Sequence, residues 1–152
     1  MGVNNLDIDD AGLNLITQFE GFRANPYQDQ NNIWTIGYGS TYLTDGSRVT
    51  QYTPAVTQNQ ALDLLHYGCR TAINCINTHV NVDLNQNQFD ALCDFVYNVG
   101  SGNFISSTLL VLLNQGQYDS VPTQLMRWTK TGGQPNSGLI RRRQAEINLW
   151  GS

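Results

Sequence analysis

Hydrophobic residues return at helical intervals almost from the start of the chain. Leu13, Ile16 and Phe19 line one face of the stretch from Asp7 to Phe22. Asp7 or Asp9 is available as N-cap, and acidic side chains crowd the positive end of the helix dipole. Gly21 suits a left-handed stop, and Pro26 blocks easy continuation. The pattern changes over residues 33–50. Ile33 to Gly39, Thr41 to Leu43 and Arg48 to Tyr52 are rich in β-formers, and Asp45-Gly46 predicts a hairpin turn.

A long helical pattern follows, opened by the capping box Thr57-Gln-Asn-Gln60 and running to about His79. At 100° per residue, Leu62, Leu65, Cys69, Ala72, Ile73, Ile76 and Val80 fall within one arc of about 100°. A second box, Asn85-Gln-Asn-Gln88, opens a helix with Phe89, Leu92, Cys93 and Val96 inward, ended by Gly100. Shorter helices are expected near 106–115, 118–127 and 138–149, separated by Gly116 and the 132–138 loop. One helix, a small sheet and an all-helical remainder predict an α+β fold. The expected arrangement is a single domain over 1–152, with lobes of about 1–56 and 80–152 joined by a helix over 57–79. A cleft between such lobes is the usual place for a site.

Composition narrows the possible partners. The 152 residues carry a net charge of −4 and a pI near 4.8, yet only 13% are charged. Polarity is carried instead by 17 Asn and 13 Gln, with one lysine, Lys130, and two glutamates, Glu20 and Glu146. An acidic, lysine-poor chain argues against nucleic acid as a partner, because that affinity comes from cations on phosphates. The balance is uneven along the chain. Residues 1–94 sum to −7, and residues 95–152, with Arg127, Lys130 and Arg141 to Arg143, sum to +3. An anionic polymer could therefore meet a basic C-terminal half.

The first ten residues lack the basic and apolar regions of a signal peptide, and Leu6 argues against lipidation at Gly2. The longest apolar run, Leu109 to Leu113, is too short for membrane insertion. Three cysteines cannot pair completely, so Cys69, Cys75 and Cys93 are expected as buried thiols of a reducing compartment. His66-x2-Cys69-x5-Cys75-x3-His79 looks like a metal signature, but Cys75 and His79 fall opposite His66 and Cys69 on a helix. A Cys69–Cys75 disulfide fails as well, since six residues rise about 9 Å along a helix. Neither metal nor cofactor is expected. Gly37-x-Gly39 and Gly100-x-Gly102 lack the third glycine and the setting of a dinucleotide loop.

Two carboxylates stand out. Glu20 lies between Phe19 and Phe22 at the C-terminal turn of its helix, where apolar neighbours and the dipole both favour the protonated form. Asp29, nine residues on, sits in the polar run Tyr27-Gln-Asp-Gln-Asn-Asn32, which suits an ionised group. A carboxylic acid and a carboxylate in contrasting surroundings fit glycosidic bond cleavage, although such pairs are also found in purely structural roles.

The full run, Glu20-Gly-Phe-Arg-x3-Tyr27-x-Asp29-x5-Thr35-Ile-Gly-Tyr-Gly39, resembles the N-terminal signature of phage-type lysozymes, the endolysins of glycoside hydrolase family 24. The likeness continues through the helix opened by Thr57, Phe89-Asp-Ala-Leu-Cys-Asp-Phe-Val-Tyr-Asn-Val-Gly100, and Gly138-Leu-x2-Arg-Arg-x2-Glu146. The resemblance implies a lysozyme-like fold with a small N-terminal β-hairpin lobe and a larger helical one. It implies Glu20 as proton donor to the leaving sugar oxygen, Asp29 as the group that orients or activates water, and Thr35 as the residue that holds it. The implied partner is the peptidoglycan glycan strand, cut at the β-1,4 bond between N-acetylmuramic acid and N-acetylglucosamine. Gly39, Tyr97, Asn98 and Arg142 are the implied substrate-binding residues. Tyr97 and Asn98 also fit ordinary helix-junction roles. Arg141 to Arg143 could supply a guanidinium to Glu20, with Arg142 matching the family's pair, or could form a solvated helix face. One departure is Ser40, where the family often has His.

Two other readings compete with a muramidase. A lytic transglycosylase cuts the same bond with an internal hydroxyl, but it needs no water-holding pair such as Asp29 and Thr35. A non-catalytic wall-binding or chitin-binding module would bind without clearing. The family further implies a monomer made in the host cytoplasm that reaches the wall through a separate membrane lesion.

Overall fold

The computed structural model describes residues 3–152, so the reading of Gly2 lies outside the described residues. The chain divides into two compact units. One is residues 16–70; the other joins the segment through Leu15 to residues 71–152. Helix α1 (Asp10–Glu20) runs across the first boundary, and among the two expected caps it is Asp9 that takes the role. The Asp9 Oδ1 accepts the N–H groups of Ala11 at 3.1 Å and Gly12 at 3.3 Å.

In the unit of residues 16–70, β1 (Arg23–Gln28) pairs antiparallel with β2 (Trp34–Gly37). The β1 strand is absent from the sequence expectation, because Arg-Ala-Asn-Pro-Tyr-Gln shows no apolar alternation and contains Pro26. The register explains how it forms. Arg23 faces Gly37 and Tyr27 faces Thr35, so three residues of β1 stand opposite one of β2. Pro26 falls in that bulge, where no ladder donor is required, and the bulge bends the strand. Helix α2 (Gln58–Gly68) packs on β2 over a core of Ile36, Val49 and Leu64, with Trp34, Leu43 and Val56 against it. The contact is close at Gly37, which has φ +67°. A Cβ there would stand 3.0 Å from that of Ala61. The Asp45-Gly46 turn is present, but its flanks make only the Tyr42–Arg48 bridge rather than two strands.

The helix expected over 57–79 is interrupted. The capping box forms, with Gln60 N–H donating to Thr57 Oγ1 at 3.1 Å and Thr57 N–H to Gln60 Oε1 at 2.9 Å. At Cys69, however, the N–H is shared between the carbonyls of Leu65 (2.9 Å) and His66 (3.1 Å). Such sharing is a helix-end geometry, and Gly68 beside it propagates a helix poorly. Helix α3 (Arg70–His79) then restarts. The inward face is nonetheless as expected at Leu65, Cys69, Ala72, Ile76 and Val80, while Leu62 and Ile73 are only half-buried.

In the other unit, α4 (Gln86–Val99) opens with the expected box between Asn85 and Gln88. Eight consecutive residues, Phe89 to Val96, are buried, so this helix is covered on every side. Helix α6 (Thr108–Asn114) stands where one is expected near 106–115, capped by Ser107, which accepts the Leu110 N–H at 3.1 Å; a short helix that was not expected, α5 (Ser101–Ile105), precedes it. A 3-10 turn at Tyr118–Ser120 and α7 (Val121–Leu125) stand where 118–127 was expected to be one helix. A small hairpin of β3 (Lys130–Thr131) and β4 (Gln134–Pro135) precedes α8 (Ser137–Trp150), which packs along α4.

The asparagines have a structural use here. Asn4 donates to Val82 O at 2.9 Å and accepts from Leu84 N–H at 3.0 Å. Asn77 does the same with both groups of Leu6, and Asn114 binds the His79 carbonyl and the Asn81 N–H. Amide side chains thus satisfy backbone groups that lie outside regular structure. All three cysteines are buried thiols. Among the described residues no helix is long and apolar enough to cross a membrane.

Candidate active site

Glu20, Asp29, Thr35 and Gly39 all belong to the unit of residues 16–70. Glu20 is the last residue of α1 and is half-buried, with Gly21 at φ +70° turning the chain toward β1. Phe22 lies against the ring of Tyr38, centroids 5.5 Å apart, which ties the Glu20 end of the strand to the turn after β2. That turn is closed by reciprocal bonds of 2.9 Å between Ile36 and Ser40. Gly39 sits in it, half-buried at φ +87°.

Asp29 follows β1 directly and is held by the loop it opens. Its Oδ1 accepts the N–H groups of Asn31 at 2.8 Å and Ile33 at 3.0 Å. Its own N–H donates to Ile33 O at 3.0 Å, and its carbonyl accepts from Asn32 N–H at 2.9 Å. Asn32 adopts φ 62°, a left-handed conformation that asparagine tolerates and that the tight loop requires. Thr35, 3% exposed, donates its hydroxyl hydrogen to the same Ile33 carbonyl at 2.8 Å. The structure therefore joins Asp29 and Thr35 through one peptide unit.

Tyr97, Asn98 and Arg142 belong to the other unit, on α4 and α8. Tyr97 is half-buried and Asn98 exposed. Arg142 is only 5% exposed, and Asp94 grips it with two bonds, Nε to Oδ2 at 3.0 Å and Nη2 to Oδ1 at 2.8 Å. Arg143, for which a solvated face is one sequence reading, is fully buried; only Arg141 is exposed. The Arg143 Nε stands 2.8 Å from Glu146 Oε1, its Nη2 donates to Glu146 Oε2 at 3.0 Å and to Asn98 Oδ1 at 2.6 Å. Its guanidinium also lies 5.0 Å from the Phe95 ring centroid.

Two arginines and two carboxyls thus share one buried cluster. Burial pushes the Glu146 carboxyl well above its usual range, and a hydrogen bond with Asp94 adds to the effect. Burial likewise lowers Arg143, against the attraction of Glu146 and Asp94. Sequence reasoning misses Asp94 and Glu146 as cluster members. The available signal is a charge at position 94 inside an otherwise apolar buried run, which requires a partner. Asp90, one turn earlier, is a second such case, paired with Asp9. Among the described residues no group of three or more His, Cys, Asp or Glu is placed to hold a metal ion.

Comparison with known proteins bears on the family and the fold. The family model for phage lysozyme matches residues 17–146. The endolysin of Acyrthosiphon pisum secondary endosymbiont phage 1 is 39% identical over 151 residues, covering 97% of this chain and 99% of its own. A crystal structure of a P22 lysozyme mutant superposes with a TM-score of 0.89 at 33% identity, covering 97% of this chain and 100% of that one. The muramidase domain of SpmX from Asticaccaulis excentricus gives a TM-score of 0.86 at 34% identity, covering 97% and 99%. With its motif spacing, its fold and its relatives in agreement, the chain belongs to the phage lysozyme family of glycoside hydrolases.

Proposed function

We propose that the chain hydrolyses the β-1,4 bond between N-acetylmuramic acid and N-acetylglucosamine in peptidoglycan, with inversion at the anomeric carbon, and that this cleavage lyses the bacterial cell. Glu20 gives a proton to the leaving sugar oxygen. Water attacks the anomeric carbon from the opposite face and passes a proton to Asp29. Inversion of this kind needs the two carboxyls about 6.5–9.5 Å apart, leaving room for the water.

The observation that carries the reading is the hydrogen-bond polarity around Ile33. Thr35 has committed its hydroxyl hydrogen to the Ile33 carbonyl, so its oxygen faces an incoming water as an acceptor. Asp29 has committed Oδ1 to two backbone N–H groups, and Oδ2 takes neither of them. A water that donates to both Thr35 Oγ1 and Asp29 Oδ2 has a lone pair left for attack. Gly39, Tyr97, Asn98 and Arg142 are assigned to the glycan, Asn98 by direct contact with an acetamido group.

Clearing of a cell-wall suspension by wild type, Glu20→Gln and Asp29→Asn tests this, with the product anomer read by NMR. The expected result is folded variants that lose nearly all activity, and an α-anomer product from wild type. An active Glu20→Gln, or anhydro-muramic ends in the digest, overturns the mechanism. Binding without clearing by wild type at any pH overturns the hydrolase assignment of these residues.

A further inference from the structure

Besides Glu146 and the Trp128 carbonyl, which its Nη1 meets at 3.5 Å, the buried Arg143 hydrogen-bonds one exposed side chain, Asn98, and that contact has a direction. An asparagine amide has two chemically opposite ends, and its own torsion barely distinguishes them. A guanidinium carries only donors, so the end of Asn98 that meets it must be the oxygen, here at 2.6 Å. The outward end is then the NH2 group, which takes no protein partner among the described residues. Arg143 cannot readily yield. Two contacts of 2.8 and 3.0 Å tie it to Glu146, and the Phe95 ring packs on its face. Glu146 is itself fully buried.

We propose that Arg143 is a positioning residue that locks the Asn98 amide as a donor, and so tunes the enzyme to glycans bearing an N-acyl carbonyl. This rests on the assignment of Asn98 to the glycan made above. A fixed NH2 matches the acetamido carbonyl, an acceptor. It mismatches the amine of a de-N-acetylated sugar, which is a cation with donors only. An amide free to rotate would present its oxygen to that amine and lose the distinction. Sites built to hydrogen-bond one group discriminate strongly against analogues lacking it, because the site's own polar group is left unpaired.

The test is kcat and KM on cell-wall glycan strands, fully N-acetylated against enzymatically de-N-acetylated, for wild type, Asn98→Asp and Arg143→Lys. Wild type should prefer the acetylated strand by about tenfold or more in kcat/KM, the worth of one such hydrogen bond. Asn98→Asp keeps a partner for Arg143 but turns the outward end into an acceptor. Its preference should fall to about one or invert, through KM rather than kcat. Arg143→Lys keeps the charge without the planar fork and should lose part of the preference. Should Arg143→Lys fail to fold, Asn98→Asp alone decides. An active Asn98→Asp with the wild-type preference overturns the inference and leaves the hydrolase reading standing. A wild type inactive on the acetylated strand itself sinks both.

Discussion

Asp29 and Thr35 hang from the two ends of a single residue, Ile33. The Ile33 carbonyl accepts the Asp29 N–H at 3.0 Å and the Thr35 hydroxyl at 2.8 Å, while the Ile33 N–H donates to Asp29 Oδ1 at 3.0 Å. Both side chains are therefore oriented by backbone before any substrate arrives. Preorganisation of this kind removes a reorganisation cost from the reaction itself.

Thr35→Val should separate the hydroxyl from the fold. Valine keeps the branched shape, and the Ile33 carbonyl keeps the Asp29 N–H, so the loss of stability should be only about 1 kcal/mol. The kcat should fall by roughly 10²-fold, on the scale of groups that position or activate water, with Thr35→Ser recovering much of it. Thermal melts beside wall-clearing kinetics check this. A Thr35→Val enzyme with near-normal kcat would remove Thr35 from the mechanism.

Asp90 should make stability fall as pH rises. Burial, and then the hydrogen bond with Asp9, push its carboxyl up to about 7, while the proton they share leaves Asp9 lowered. Gln86 donates to Asp90 at 2.9 Å and opposes the shift. Between about pH 4 and 7 the folded chain keeps a proton that the unfolded chain has lost. Unfolding free energy should therefore decline across that window by roughly 2–4 kcal/mol and level off above it. Asp9, shifted the other way, acts only below about pH 4. Asp90→Asn mimics the protonated acid, so urea melts from pH 5 to 8 should show the slope reduced to the part carried by Glu146. A slope unchanged in Asp90→Asn would remove Asp90 as its source.

Gly12→Ala should destabilise, although alanine is the better helix former. A Cβ at Gly12 would lie 2.5 Å from Ile8 Cγ1 and 2.9 Å from the Asp90 carboxyl. Helix propensity returns about 1 kcal/mol, whereas overpacking costs about 1–3 kcal/mol and here also disturbs a buried acid. The net expectation is a loss of roughly 1–2 kcal/mol in denaturant melts. A stabilised variant would show that Ile8 gives way freely.

The parts of the fold legible in the sequence are those specified by near neighbours. Both capping boxes, the Asp9 cap, the stop at Gly21 and the turn at Asp45-Gly46 each depend on residues within about four positions. The β1 strand was illegible because its pairing with β2, rather than its own Pro-interrupted composition, makes it a strand. The break at Cys69 escaped the apolar pattern for a related reason: the inward face continues across it, and only the hydrogen-bond sharing changes.

By itself the sequence determined the family, through the spacing of Glu20, Asp29 and Thr35, and the places where α1, α2 and α4 begin, because both are short-range properties of the chain. Only the tertiary structure decided what the charges are for. Arg142 meets Asp94 across 48 positions and Arg143 meets Asn98 across 45, and a triple-arginine run reads equally well as a solvated surface. Burial settles it, since a guanidinium withdrawn from water persists only where carboxyl and amide oxygens replace the lost hydration. Which oxygens those are depends on how α4 and α8 pack, and no local pattern contains that information.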